Sequence, residues 1–439
     1  MSSKSSVIRM LIALVLAATV IPSAQATDLS LRDAIARALA HGYGIQSAAA
    51  DSAAAADRHR AARTLRYPTL SLDARSFYLS YVPKLSLPFA TMELGTKENY
   101  QADVKLSLPL YTGGRLTHSI AAARQTSLAE SSRLEAERMA VAAQVRRAYF
   151  NLMLASSAVD IAAASRQRLT IIRSTVQDFY DNGLADSIDV LDAQAAVVKA
   201  GRAADQAATG RRNAAVSLAT LIGTPDDTAL TPTEPLSYGE LPDVETLTIP
   251  ADIPRPELKR LDHIIAASDQ TAALALAEYV PTLAGFGGYS VGKPNKDMFN
   301  KTWNDYFSAG LSLTWDLNLG RKTARNASAA RQTARSARLT RQSLQESMTT
   351  QAVTALNNLK QAYATLGTAA AEHDIAGRKF NLARQKHKAG ELTVNRLLEM
   401  ELELTVSEQQ NRSAVIQYYQ AWTEYLYAIG SSDIYGGLR

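Results

Sequence analysis

Hydrophobic and polar residues alternate strictly in two parts of the chain. In residues 100–111 the apolar side chains occupy every second position, and the same period of two returns in 306–317. Strict alternation is typical of a β-strand with one apolar and one polar face. Each run has an alternating partner upstream, so we predict two β-hairpins, 69–111 and 282–317.

A helical composition follows each predicted hairpin. Residues 115–222 and 321–429 are rich in Ala, Arg, Gln, Leu and Glu and almost free of Pro and Gly, which favours helix. Each tract is interrupted near its middle, at Gly183 and at Gly390, and glycine commonly ends a helix. We predict two helical hairpins. An arm of about 65 residues is about 100 Å long, so the arms must pack together as in a coiled coil.

The two halves match in order and in spacing. The turn glycines are 390 − 183 = 207 residues apart, and an Ala-Ala-Arg-Gln motif recurs with 331 − 124 = 207 between its arginines. Gly114-Arg115, before the first helical tract, matches Gly320-Arg321, with 321 − 115 = 206. An offset that holds within one residue over this distance indicates an internal duplication.

The N-terminus has the pattern of a secretory signal peptide. Lys4 and Arg9 precede an apolar run, and Ala24-Gln25-Ala26 gives a small-x-small cleavage pattern. Between the halves, residues 223–256 hold seven of the 14 prolines, so no helix can run through this segment. The predicted order is a signal peptide 1–26, a first repeat 27–222, a Pro-rich connector 223–256 and a second repeat 257–439.

Composition narrows the chemistry. The chain has no cysteine, which excludes disulfides and thiolate metal sites. Its 47 basic and 42 acidic residues are intermixed, which gives little support for nucleic-acid binding. The six histidines show neither HxxxH nor HxH spacing, and there is no P-loop or G-x-S-x-G motif. We predict a protein that is not an enzyme and that has no metal, no cofactor and no nucleic-acid partner.

The four predicted strands cannot form a closed barrel alone, and lipid does not tolerate an open sheet edge. Three copies would supply 3 × 4 = 12 strands and 12 helical arms around one axis. The predicted fold class is therefore mainly α with transmembrane β. Internally duplicated coiled-coil hairpins would form an α-barrel, and four strands per protomer would build a trimeric 12-stranded outer-membrane β-barrel. The candidates for an aromatic girdle are Tyr289, Trp303, Tyr306 and Trp315.

Short motifs in both the strands and the turns resemble the TolC family of outer-membrane factors. The motifs are Leu108-Pro109-Leu110-Tyr111-Thr112-Gly113-Gly114 at a strand end and the turn Asn182-Gly183-Leu184, followed by Asp189-Val190-Leu191-Asp192. The resemblance covers essentially the whole mature chain. It implies a homotrimeric conduit in outer-membrane lipid that extends through the periplasm. It also implies two partners, a periplasmic adaptor (membrane fusion) protein and an inner-membrane pump.

The same resemblance assigns roles to the tips of the helical hairpins, which would form a gated periplasmic entrance. It implies an adaptor contact at Gly183 and Leu184 and at the second turn glycine, Gly390. The implied entrance and gate residues are Tyr180, Asp189 and Asp192 in the first copy and Arg396 and Glu399 in the second, where His387 replaces the tyrosine. Clustered carboxylates would attract cations. The aspartates also suit a purely structural role, because acidic side chains stabilise a helix N-terminus.

The sequence predicts a passive duct for small-molecule efflux within a tripartite export system. An exit duct of a type I protein secretion system uses the same fold and remains an alternative. A second alternative is a periplasmic coiled-coil scaffold or adaptor.

Overall fold

The computed structural model describes residues 27–224, 229–234, 244–297, 299, 301–317 and 320–437. The predicted signal peptide, 1–26, lies outside the described residues, and so does part of the predicted connector. The described chain divides into two units. The helical unit comprises the chain up to Gln46, Glu137–Pro254 and the chain from Ser347 onward, whereas the sheet unit comprises Ser47–Ala136 and Arg255–Glu346.

Seven α-helices, three short 3-10 helices and eight strands are described. The α-helices are α1 (Leu31–His41), α2 (Tyr43–Thr64), α3 (Arg115–Asp181), α4 (Ser187–Leu221), α5 (Pro256–Leu276), α6 (Lys322–Lys388) and α7 (Val394–Ala428). The strands are β1 (Thr27–Leu29), β2 (Thr69–Tyr78), β3 (Lys84–Leu87), β4 (Ala90–Glu93), β5 (Glu98–Tyr111), β6 (Leu230–Pro232), β7 (Thr282–Lys293) and β8 (Asn304–Thr314). None of the helices in this described part of the chain combines the length and the apolar character needed to cross a membrane.

The long helices carry the internal repeat. Helices α3 and α6 both have 67 residues, and α4 and α7 both have 35. Their first residues differ by 322 − 115 = 207 and 394 − 187 = 207, and their last residues by 388 − 181 = 207 and 428 − 221 = 207. The mainly helical, internally duplicated fold is thus confirmed, with one offset for all four helices.

One predicted match between the halves is wrong by one residue. Gly114 has a φ of 89° immediately before α3, and Arg321 has a φ of 57° immediately before α6, so the counterpart of Gly114 is Arg321 and not Gly320. Both residues accept a hydrogen bond from the backbone N–H four positions later, at 2.9 Å and 3.0 Å. The match failed because an arginine takes the left-handed conformation here, at a cost of roughly 1–2 kcal/mol.

The sheet unit contains a four-stranded antiparallel sheet in the order β2-β5-β7-β8. The two hairpins therefore pair with each other through β5 and β7. Strands β2 and β8 form the two edges of this sheet. Because successive strands alternate in direction, the two edge strands run in opposite directions.

The register of the sheet separates apolar from polar side chains. Leu72, Val104, Tyr289 and Phe307 are neighbours in one row that crosses all four strands. The adjacent row, on the opposite face, contains Asp73, Asp103, Ser290 and Tyr306. Since the period of a strand is two, the alternation continues along the sheet and gives it one apolar and one polar face.

Only part of the predicted aromatic girdle fits this geometry. Trp303 directly precedes β8 and Trp315 directly follows it, so these indoles lie at opposite ends of the strand, and both are more than half exposed. The Trp315 indole N–H donates to the carbonyl oxygen of Tyr279 at 3.1 Å. Tyr306 shares the polar face with Asp103, so the prediction that it belongs to a lipid-facing girdle is wrong.

A small hairpin, β3–β4, lies between β2 and β5, inside the segment 69–111 that was predicted as a single β-hairpin. The carboxylate of Glu93 pairs with Lys84 at 3.4 Å and with Lys301 at 3.2 Å. These two ammonium groups lower the pKa of Glu93. The contact with Lys301 fastens the hairpin to the segment that joins β7 and β8.

In the helical unit, β1 pairs in parallel with β6, so the start of the described chain is held by the segment between the repeats. Helix α3 of the same unit carries Arg146, which is 1% exposed. Its guanidinium donates to Thr423 Oγ1 at 3.1 Å and to the carbonyl oxygen of Gly436 at 2.7 Å. Burial lowers the pKa of Arg146 to about 10. This side chain ties α3 to α7 and to the C-terminal segment.

Candidate gate at the helical tips

The first tip is a left-handed glycine turn. Gly183 has a φ of 75°, its N–H donates to Tyr180 O at 2.9 Å, and the next N–H, of Leu184, donates to Phe179 O at 2.8 Å. These bonds satisfy carbonyl groups that the end of α3 would otherwise leave unpaired. A Cβ at Gly183 would meet no heavy atom within 4 Å, so backbone conformation alone favours glycine here. The side chain of Leu184 is 75% exposed beside it.

Helix α4 restarts four residues later. Asp186 is its N-cap, with φ −88° and ψ 156°. The Asp189 carboxylate accepts the Asp186 backbone N–H at 3.4 Å, which forms half of a capping box. The structure therefore places Asp189 in a helix-capping position, whether or not it also faces a pore. Its negative charge is favourable there, at the positive end of the helix dipole.

The second tip repeats the backbone of the first. Gly390 also has a φ of 75°, its N–H donates to His387 O at 3.0 Å, and the Glu391 N–H donates to Lys386 O at 2.9 Å. Thr393 is the N-cap of α7, with φ −71° and ψ 154°. The turn chemistry is thus duplicated, although the residue after the glycine is a leucine in one copy and a glutamate in the other.

Tyr180 and His387 are repeat counterparts with different surroundings. The Tyr180 side chain is 45% exposed on α3, whereas His387 is 4% exposed at the end of α6. The Nδ1–H group of His387 donates a hydrogen bond to Leu392 O at 2.8 Å. The centre of the imidazole ring lies 5.4 Å from the centre of the Phe179 ring. His387 therefore stabilises the second turn from inside, while Tyr180 remains available on the surface of the first.

Asp192 and Glu399 are the predicted gate residues that the structure brings to one place. They are repeat counterparts, since 399 − 192 = 207, and both line a groove of about 610 Å³ between α4 and α7. Ala196 and Ala200 of α4 face Leu398 of α7 across it. The groove is mainly apolar between these helices, and its charged lining residues are Asp192 and Lys199 of α4 and Glu399 and Glu401 of α7.

The remaining pair of counterparts, Asp189 and Arg396, differ in sign of charge. Arg396 forms an ion pair with Glu399 one turn further along α7, and both side chains are more than half exposed. Arg396 and Glu399 therefore neutralise each other, whereas their counterparts Asp189 and Asp192 are both acidic. The field at an entrance built from these tips would come mainly from the first copy.

All four long helices contribute apolar residues to one core behind the tips. The buried members are Leu169, Ile172, Val176, Ala193, Ala200, Ala376, Phe380, Ala383, Val394, Leu397, Met400 and Leu404. This core fixes the positions of the turns through the hydrophobic burial of their helices.

A polar clamp between α3 and α7 was not anticipated from the sequence. Arg168 donates to Glu401 at 3.1 Å and, through two nitrogens, to Glu408 at 3.0 Å and 3.2 Å. Glu401 is 3% exposed and also accepts hydrogen bonds from Ser165 and Thr405, each at 2.8 Å. The available signal was the seven-residue spacing of the two glutamates, which places them on one helix face.

Comparison with known proteins identifies the family. The model of the family described as outer membrane efflux protein matches residues 34–224 and 251–431, which is most of the chain. The chain belongs to this family, and it is an outer-membrane protein. No curated protein matches the sequence. The predicted resemblance to the TolC family of outer-membrane factors is confirmed at the level of family and fold.

Solved structures share the fold over nearly the full length. The outer membrane protein VceC of Vibrio cholerae is 17% identical, with a TM-score of 0.77 over 91% of this chain and 96% of that chain. CusC is 17% identical, with a TM-score of 0.76 over 92% and 93%. The outer membrane channel MtrE of Neisseria gonorrhoeae, in its open state, is 19% identical, with a TM-score of 0.72 over 94% of each chain. The family is one of efflux proteins, and CusC and MtrE are described as channels and not as enzymes.

Proposed function

We propose that this protein is the outer-membrane channel of a tripartite export system and acts as a passive duct for small-molecule efflux. The observation that carries the proposal is the sheet with one apolar face, one polar face and two unpaired edges, in a chain of the outer membrane efflux protein family. Such a sheet suits lipid on one side and water on the other once its edges are paired.

Edge pairing between copies can close the sheet into a ring, and the family resemblance implies a ring of three. Strands β2 and β8 run in opposite directions, so β8 of one copy can pair antiparallel with β2 of the next and continue the alternation. Three copies give 3 × 4 = 12 strands. With strands about 4.8 Å apart and tilted by about 40°, this barrel has a backbone diameter of about 24 Å. Side chains from its walls leave room for a small molecule near the axis.

The helical tips support a partnership with an inner-membrane pump through an adaptor. The family resemblance implies that Gly183, Leu184 and Gly390 contact the adaptor, and Leu184 offers an exposed apolar side chain for this purpose. Tyr180, Asp189, Asp192, Arg396 and Glu399 are the proposed entrance and gate residues. The energy for transport would come from the pump, since the channel supplies only a path.

Accumulation of a fluorescent efflux substrate in cells tests this function. Loss of the gene should raise the intracellular level of the dye, and the full-length protein should restore efflux from the outer-membrane fraction. Unchanged dye levels, together with loss of a secreted protein from the medium, would contradict small-molecule efflux and favour the protein exit duct. Recovery of the protein in the soluble periplasm would contradict the channel itself.

A further inference from the structure

Within one chain, the two helical hairpins meet along α3 and α7. Arg146 contacts Thr423, Asn151 accepts a hydrogen bond from Gln420 at 2.8 Å, and Arg168 contacts Thr405 at 2.9 Å. Residue numbers rise along α3 while they fall along α7, so the helices are antiparallel. We call this set of contacts the internal seam. It is polar at each of these positions.

The repeat relates the internal seam to a second pair of helices. Adding 207 converts α3 into α6, and subtracting 207 converts α7 into α4. The counterpart of the internal seam is therefore a seam between α6 and α4. Eight large apolar side chains on these two helices are between 42% and 63% exposed in the single chain. They are Leu339, Val353, Ile375 and Leu382 on α6 and Ile188, Leu191, Val198 and Val216 on α4.

The repeat offset sorts six of these eight side chains into pairs. The contact Arg146–Thr423 becomes Val353–Val216, because 146 + 207 = 353 and 423 − 207 = 216. The contact Arg168–Thr405 becomes Ile375–Val198 by the same operation.

One heptad nearer the tips, the same arrangement brings Leu382 to Leu191, since 382 − 375 = 7 and 198 − 191 = 7. Six of the eight exposed residues thus find an apolar partner, and the other two, Leu339 and Ile188, lie toward the N-terminal ends of α6 and α4.

We propose that copies of this chain meet along this second seam, with α6 of one copy packed antiparallel on α4 of the next. The occupant is a second copy, because the repeat dictates which surface fits and both surfaces are present on every chain. A contact between two different surfaces closes into a ring when the rotation allows it. The inference rests on the proposed trimer and names the residues that hold its helices together.

The two seams differ in chemistry. Arg168, Glu401 and Glu408 of the internal seam correspond to Ile375, Gln194 and Gly201 of the seam between copies. A ring of three copies would alternate between three seams held by ion pairs and three held by apolar contacts. Salt does not weaken apolar contacts by screening, whereas it does screen partly exposed ion pairs. The contacts between copies are thus the ones that resist high ionic strength.

Disulfide trapping tests the seam, because the natural chain has no cysteine. In the full-length protein purified in detergent, the double variant V216C/V353C should give covalent dimers and trimers on oxidation. The variant L191C/L382C should do the same and guards against a folding defect in the first. The matched control is V216C/Q351C, whose cysteine on α6 lies on another helix face about 200° away and should not cross-link.

The outcomes separate the seam from the trimer. A three-copy mass by light scattering without intermolecular disulfides in either variant would overturn the seam alone. Disulfides formed inside one chain, or only to a different protein in cells, would also overturn it. A one-copy mass would overturn the proposed trimer, and the seam with it. Equal cross-linking of V216C/Q351C would show collision rather than a defined interface and would contradict the register.

Discussion

The two helical tips share a backbone and differ in their side chains. Gly183 and Gly390 have the same φ of 75°, and in each tip the N–H after the glycine bonds to the carbonyl five residues earlier. The first tip then exposes Leu184 and has Asp189 and Asp192 at the positions where the second has the ion pair Arg396–Glu399. The two copies share the glycine and the backbone hydrogen bonds that form the turn, whereas their solvent-exposed side chains differ. Residues at the first tip are therefore the better candidates for recognition and charge selection.

The largest expected effect compares Arg168 with its counterpart Ile375. Arg168→Met leaves the buried carboxylate of Glu401 without its cation, and we expect a loss of about 3 kcal/mol of unfolding free energy. Ile375→Met should cost less than about 1.5 kcal/mol, because it nearly conserves volume. Thermal unfolding followed by circular dichroism in detergent measures both. The double variant R168M/E401Q removes the unpaired charge and should recover part of the lost unfolding free energy. Equal stability of R168M and I375M would contradict a stabilising role for the clamp.

The turn glycines should respond equally. Gly183→Ala and Gly390→Ala each force a side chain into the left-handed region, which costs roughly 1–2 kcal/mol. No atom lies within 4 Å of either added Cβ, so steric crowding adds nothing. The two variants should lower the unfolding free energy by the same amount in chemical denaturation. A clear difference between them would break the equivalence of the two turns.

The capping positions should respond unequally. Asp189→Ala removes a carboxylate that accepts the Asp186 N–H and suits the helix dipole, so we expect a loss of about 0.3–1 kcal/mol. Arg396, the counterpart of Asp189, carries a positive charge in the first turn of α7, where the helix dipole disfavours positive charge. Arg396→Ala should therefore change stability by less and need not lower it. Urea titration of both variants measures the contrast, and an equal loss would mean that the dipole does not distinguish them.

Local rules made the turns and the strands predictable. Alternation revealed the strand pairs, and the spacing of Gly183 and Gly390 revealed the repeat. The β3–β4 hairpin was not predicted because its strands have only four residues each, and because Pro83 and Pro88 beside them indicate a loop. The left-handed conformation of Arg321 was not predicted because glycine is the expected residue at a positive φ.

The clamp and the groove could not be read from local patterns. Arg168 and Glu401 are 233 residues apart in the sequence, and only the packing of α3 against α7 brings them together. Asp192 and Glu399 were recognised singly, but the groove that both line exists only once α4 and α7 are in place. The repeat offset is the one sequence feature that carries long-range information, because it relates contacts in one half to surfaces in the other.

The most direct test of the proposed duct and of its unequal tips is the reversal potential of the purified protein in a planar bilayer under a salt gradient. We predict a steady conductance that needs no energy source and prefers cations. D189N/D192N should move the reversal potential toward zero, whereas the charge-neutral exchange R396M/E399Q should leave it in place. An absence of conductance would contradict the channel, and an equal shift in both variants would contradict the assignment of the entrance charge to the first tip.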